Sequence, residues 1–294
     1  MSEATHPNVA QPNTLVRSWQ RGAKVDPRYL IAFLITLVLV VGQLRYHLLG
    51  GYDRLVVALG VCTLTESLLS WFDRGKVVNL LSAYISGISL TLLIKPQGGA
   101  LWPFVIGGFI AIASKYVLRY RENHLWNPTN FAIATLLLAA PDRVSVLSHQ
   151  FGNDITTNLV IWIFGLIIAA RVGVLHITLT YVVSFLILNG ARALVLGQAV
   201  LPEIAPITGP MYQLFVFFMI TDPRTVVRGR RQQILVAILI AIVETLIRFM
   251  ADGGWLMPTG VTAAPAFYAL AIVGPIAKFL DLRRARKPVT STPS

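Results

Sequence analysis

The sequence predicts an all-α polytopic membrane protein, with about ten transmembrane helices in two inverted five-helix repeats. Three observations carry that prediction. First, 55% of the 294 residues are hydrophobic and only 13% are charged, whereas a soluble domain has about 25% charged residues. Second, the chain echoes itself. An offset of 130 residues aligns Ala111 with Ala241, Pro128 with Pro258 and Thr129 with Thr259. An offset of 127 aligns L-T-L-L-I-K-P ending at Pro96 with F-F-M-I-T-D-P ending at Pro223. Third, Lys and Arg fall unevenly between the gaps that separate the apolar runs.

A span needs about 20 mostly apolar residues, fewer where the helix is broken. The apolar runs place spans at roughly 29–48, 53–72, 78–94, 100–118, 128–141, 155–171, 174–196, 207–221, 232–250 and 258–280. With the N-terminus cytoplasmic, 19 of the 25 Lys and Arg residues fall on the inner side and 6 on the outer side. Positive charge marks the cytoplasmic side. Five spans per half force the halves into opposite orientations, a transporter-type architecture. The expected organisation is a mobile cytoplasmic tail (1–28), a first repeat (29–141), an external linker (142–154), a second repeat (155–281) and a basic cytoplasmic tail (282–294).

The net charge of +12 sits in these gaps and at the two ends. That is membrane topology and argues against nucleic acid as a partner. The lone Cys62 excludes an intrachain disulfide and reads as a small buried side chain. The five histidines show no metal-ligand spacing. The absence of a phosphate-binding glycine loop, of G-x-S-x-G and of H-E-x-x-H argues against a stand-alone hydrolase or a nucleotide-driven pump.

Spans three and eight are short and interrupted. Span three holds Ser82, Ser86, Gly87 and Ser89; span eight opens with Gly209 and Pro210. Matching broken segments in two halves point to a binding site, although small residues also serve close helix packing. Spans five and ten start with N-P-T-N and M-P-T-G, with proline expected at the first helical position. Asn127 is a natural cap. The N–H groups of such a helix start suit an anion, with Thr129 and Asn130 adding donors. Charges inside spans are costly and face partners or cavities, so Glu66 and Glu244 are candidates for a cation or proton pathway. Glu244 and Arg248 are four apart and can pair. Lys115, Arg192 and Lys278 lie close enough to span ends to snorkel.

Together S-A-Y-I-S-G-I-S-L-T-L-L-I-K-P, N-P-T-N-F and F-F-M-I-T-D-P-R-T resemble the RnfD/NqrB family of membrane proteins. Members of that family belong to the Rnf electron-transport complex and to the sodium-translocating NADH:quinone reductase. The resemblance covers most of residues 78–281. It implies a ten-helix inverted-repeat fold in the bacterial inner membrane with both termini cytoplasmic. It also implies flavin binding and flavin-linked electron transfer with partner redox proteins, coupled to Na+ or H+. Family members attach FMN to a threonine in a Ser-Gly-Ala-Thr-like motif. Here the corresponding loop, A-P-D-R-V-S-V-L-S-H-Q-F-G-N-D-I-T-T-N, has none, so the flavin expected (FMN or riboflavin) is non-covalent. Asn127, Thr129, Asn130, Thr221, Asp222, Thr225 and Thr259 are the expected cofactor residues. Two other readings are a non-redox transporter of a small anion or metabolite, and an accessory membrane protein of a biosynthetic cluster of the enediyne type, whose shortened, UnbU-like family members this chain also resembles.

Overall fold

The computed structural model describes residues 27–146, 155–255 and 257–284. Most of both expected tails and residues 147–154 of the expected linker lie outside this description. Among the described residues there are twelve α-helices. They are α1 (Pro27–Tyr46), α2 (Asp53–Arg74), α3 (Leu81–Leu93), α4 (Trp102–Val117), α5 (Pro128–Ala139), α6 (Ile155–Val172), α7 (Leu175–Val195), α8 (Val200–Ile204), α9 (Pro210–Leu214), α10 (Arg230–Asp252), α11 (Thr259–Ala263) and α12 (Pro265–Arg284). Five of them, α1, α2, α7, α10 and α12, are long and apolar enough to cross a membrane. Five shorter apolar segments accompany them: α3, α4, α5, α6 and the stretch 210–219. Many large apolar side chains on the long helices are exposed, including Phe33, Leu64, Phe72, Ile187 and Leu235. Such a surface is stable in lipid and unstable in water.

In the first half α2 lies against α3 and α4, and α4 against α5. In the second, α7 lies against α10, and α10 against α12. The halves meet where α5 touches α11 and α12, and again where α1 touches α6. Two short antiparallel ladders close the loops. Strands β1 (Ile94–Pro96) and β4 (Val144–Val146) pair in one, and β2 (Arg119–Tyr120) and β3 (Asn123–His124) in the other.

The eighth apolar run is broken, as its Gly-Pro start implies. A 3₁₀ turn (Ala205–Thr208) leads through extended Gly209 to α9, which passes into a π-helical turn (Phe215–Met219). Irregular backbone at membrane depth is tolerated where protein covers it, and here Met211, Tyr212, Gln213, Leu214, Phe215, Val216 and Phe217 are all buried. Gly165 of α6 makes the approach possible: a Cβ there would lie 2.5 Å from the Phe217 ring.

Proline, expected at the first helical position of both segments, takes it at one helix start and not at the other. Pro128 is the first residue of α5, with Asn127 as cap. Pro258 is itself the cap of α11, and Thr259 is the first helical residue. Both segments then break at an Ala-Pro step with almost the same backbone: φ −144°, ψ 58° at Ala140 and φ −145°, ψ 61° at Ala264. A residue before proline is driven out of the helical region. Pro265 then opens α12 and Pro141 opens the turn to β4. Gly260 brings α11 against the end of α5; a Cβ there would overlap the Leu137 carbonyl oxygen.

The expected snorkelling does not occur. Lys115, Arg192 and Lys278 are all buried. Lys115 pairs with Glu66 at 2.8 Å. Arg192 is held by Glu203 and Asp252. Lys278 donates to the Val226 carbonyl at 2.8 Å. In each case a fixed protein partner stabilises the buried charge.

Candidate functional site

Three distant motifs meet at one cavity. Its walls include Ser82, Ser86 and Ser89 from α3, Asn127, Pro128 and Thr129 from the start of α5, and Asp222, Pro223 and Arg224 from the turn after the π-helical segment. Arg28, Lys115 and His124 complete its polar lining. The space between these walls is open to solvent on one side.

Each wall is held by local chemistry. On α3, Gly87 faces α2 so closely that a Cβ would meet Leu59 at 2.9 Å, while Ser86 and Ser89 line the cavity. Close packing and cavity lining are thus divided between two faces of one helix. At α5, the Asn127 side-chain oxygen accepts from the Asn130 N–H at 3.0 Å. The Asn127 amide nitrogen donates to Asp222 Oδ2 at 3.1 Å. Because Pro128 lacks an N–H and the cap occupies that of Asn130, few backbone donors remain at this helix start. Side chains must therefore dominate recognition of any ligand. The 222–228 turn is clamped onto α12 by Lys278 and by Arg228, whose Nε lies 3.1 Å from Asp281 Oδ2. Asp222 Oδ1 also accepts from the Arg224 N–H at 3.0 Å.

His124 reaches the cavity from the β2–β3 hairpin, whose tip residues Arg121 and Glu122 have φ of 50° and 62°. A two-residue turn with both φ positive suits a hairpin but strains non-glycine residues. Arg119 anchors the hairpin to the end of α2 through Asp73, with contacts of 2.7 and 3.0 Å. The His124 ring contacts are 3.1 Å from Nδ1 to the Lys115 carbonyl and 3.1 Å from Nε2 to Arg224. The carbonyl needs a donor and the guanidinium an acceptor, which selects the neutral tautomer protonated at Nδ1. Burial, with Arg224 and Lys115 nearby, pushes the His124 pKa down to about 4. Burial raises the Asp222 carboxyl above its ordinary value. It also lowers the Arg224 guanidinium, with the neighbouring Arg28 charge adding to the effect.

The other expected residues lie in varied surroundings. Thr225 shares an adjoining, mainly apolar cavity with Asn127. Thr221 is buried and donates to the Phe217 carbonyl at 2.7 Å. Asn130 is buried and donates to the Phe267 carbonyl of α12 at 3.0 Å. Thr259 is exposed at the start of α11 and does not line this cavity.

The two expected acidic residues are each enclosed by protein. Glu66 of α2 accepts from Lys115 at 2.8 Å and from Tyr116 at 2.9 Å, both on α4. Glu244 of α10 accepts from Tyr181 of α7, Tyr212 of α9 and Arg248. The expected Glu244–Arg248 pair is present at 3.1 Å.

Sequence reasoning missed two residues that position the site. The Trp126 indole N–H donates to the Ala271 carbonyl of α12 at 2.9 Å. That carbonyl would ordinarily accept from residue 275, but Pro275 has no N–H. The proline leaves an acceptor vacant in the helix, and Trp126 fills it from the residue beside Asn127. The spacing of four between Ala271 and Pro275 is a readable signal; the identity of the donor is not.

No protein-family model matches this chain, and no curated protein matches it.

Proposed function

We propose that this chain is a membrane subunit of ten spans in two inverted repeats that binds a non-covalent flavin for electron transfer with partner redox proteins. One observation carries the reading. The three motifs behind the resemblance to the RnfD/NqrB family, widely separated in sequence, line a single cavity. The repeat is supported by the recurring helix contacts, the twin Ala-Pro breaks and one enclosed glutamate in each half. It is also supported by α3, whose 13 residues separate Lys95 from the Asp222 end by about 20 Å at 1.5 Å per residue. The charge count makes the cavity end cytoplasmic. Asn127 and Asp222 would hold polar edges of the isoalloxazine, with Ile85, Phe218 and Met219 lining the same cavity. When bound, a flavin supplies one- and two-electron redox chemistry. The chain's residues would contribute orientation and a cationic setting. Glu66 and Glu244 are the residues for coupled Na+ or H+ movement.

An absorption spectrum of the purified protein, taken before and after acid precipitation, tests this. Flavin absorbance released into the supernatant, and lost in Asn127→Ala, supports the reading; its absence in protein isolated under flavin-replete conditions defeats it. Orientation is tested separately in a Cys62→Ser background. Lys95→Cys should label only from outside and Arg230→Cys only from inside.

The cationic lining favours a second reading, a transporter of a small anion without redox chemistry. Uptake by proteoliposomes with no electron donor present would support that alternative.

A further inference from the structure

Beside the main cavity lies a second one, sharing Arg28, Ser82, Lys115, His124 and Arg224 with it and adding Glu66, Arg74, Val78, Asn79 and Tyr116. Its space is partly open to solvent. Positive charge is in excess there. Lys115 and Glu66 neutralise each other at 2.8 Å, which leaves the Arg74 and Arg224 guanidiniums on one space. Asp73 reaches Arg74 only at 3.4 Å while holding Arg119 at 2.7 Å. Asp222, bonded to Asn127 and the Arg224 backbone, offsets part of the Arg224 charge but does not line this cavity. His124 is neutral and accepts from Arg224, so it offers no counter-charge.

The walls also present donors. Ser82 Oγ accepts from Lys115 Nζ at 2.9 Å, so its own O–H can donate elsewhere. Asn79 Oδ1 accepts from the Leu81 N–H at 2.8 Å, which leaves the amide N–H groups available. Arg224 spends one N–H on His124 and keeps the rest of its fork. Clustered guanidinium forks with hydroxyl and amide donors match the several oxygens and double charge of a phosphate group. Like charges gathered at the edge of a low-dielectric region are destabilising unless a counter-ion joins them.

We propose that this second cavity is a phosphate site, held chiefly by Arg74 and Arg224 with Ser82 and Asn79. The inference needs the membrane reading only for the side of entry and does not depend on a flavin. The phosphate is either that of a soluble monoester or ion entering from the cytoplasm, or that of an anionic lipid headgroup.

The test uses the full chain. In neutral detergent at pH 7, inorganic phosphate is titrated by calorimetry. In parallel, the protein is placed in nanodiscs of phosphatidylglycerol or phosphatidylcholine, and retained lipid is read by native mass spectrometry. Arg74→Gln and Arg224→Gln should each weaken binding about ten-fold, the loss of one charge-assisted contact. Arg224→Lys should retain much of it, which separates charge from folding. Arg74 is half exposed at the end of α2, so its variant reports even if Arg224→Gln fails to fold. Saturable phosphate binding with no lipid preference identifies a soluble ligand. Retained phosphatidylglycerol that phosphate displaces identifies a headgroup. If neither probe binds, or if the binding seen is unchanged in Arg74→Gln, the proposal is overturned whether or not flavin is found.

Discussion

Asn127 and Asp222 are hydrogen-bonded at 3.1 Å although 95 residues separate them. One amide side chain therefore does two jobs: its oxygen caps α5 and its nitrogen holds the carboxylate of the opposite half. The bond joins the start of α5 to the turn that follows the broken eighth run. It fixes the floor of the cavity before any ligand enters.

Asn127→Ala removes both contacts and should be more damaging than Asp222→Asn. The lost cap costs about 0.5–2 kcal/mol, and the lost bond to a charged group about 1.5–3 kcal/mol. Thermal unfolding in detergent, followed by tryptophan fluorescence, should order the melting temperatures as wild type, then Asp222→Asn, then Asn127→Ala. Equal melting temperatures for all three would show that the bond carries no weight.

His124 gives the molecule a pH dependence of definite sign. Its folded pKa is pushed down to about 4, below the ordinary value near 6.5. The unfolded chain therefore binds a proton first as pH falls. Stability is unaffected above that ordinary value and declines between about 6.5 and 4. Protonated Nε2 would also face the Arg224 guanidinium donor-to-donor, loosening the hairpin. Asp222 works the other way: its raised pKa adds stability as pH falls from its folded value toward 3.8, the ordinary one. The His124→Gln variant should flatten the decline above pH 5, and hydrogen exchange at residues 119–124 should rise with acid in wild type only.

The positions of the helices were legible because apolar run length is a local property. The broken eighth run was legible from Gly209 and Pro210, and the Glu244–Arg248 pair from their spacing of four. What could not be read was which faces meet. Glu66 and Lys115 are 49 positions apart, and no periodicity names one as the other's partner. Lys115 looked like an interface residue because a helix end and a solvent edge coincide in sequence but not in space. Thr259 aligned with Thr129, yet α11 is only five residues long before its Ala-Pro break, so the two threonines occupy different surroundings. Gly260 gave no sequence signal distinct from a flexible turn; its role is the backbone contact with Leu137.

Gly260→Ala should therefore behave as a packing mutation and not as a loop mutation. Forcing a methyl group into the Leu137 carbonyl must push α11 off α5, at about 1–3 kcal/mol. Gly254, a turn glycine with open space around it, provides the comparison. Its alanine variant suffers only the strain of a positive φ. Unfolding midpoints should fall further for the Gly260 variant, and the main cavity should loosen with it because α5 forms one wall.

The Trp126–Pro275 relationship predicts a rescue. Trp126→Phe keeps an aromatic ring in place but strands the Ala271 carbonyl, at about 1–3 kcal/mol. Pro275→Ala restores the missing N–H and lets α12 satisfy that carbonyl itself. In the double variant the indole is no longer needed, so the Trp126→Phe penalty should shrink by about 1 kcal/mol or more. Strictly additive penalties would show that the indole does not substitute for the proline's missing donor.

The buried Lys115–Glu66 pair predicts non-additivity of the same kind with a larger amplitude. Glu66→Gln leaves an ammonium without its counter-charge, and Lys115→Met leaves a carboxylate with only Tyr116. Breaking one partner of such a pair costs about 3–5 kcal/mol. Removing both charges together removes the electrostatic fault, so Glu66→Gln with Lys115→Met should unfold closer to wild type than either single variant. If Glu66 also serves ion coupling, the double variant will fold yet fail to couple, measured as cation uptake in proteoliposomes. A stable double variant with full coupling would confine Glu66 to a structural role, leaving Glu244 as the acidic residue to test next.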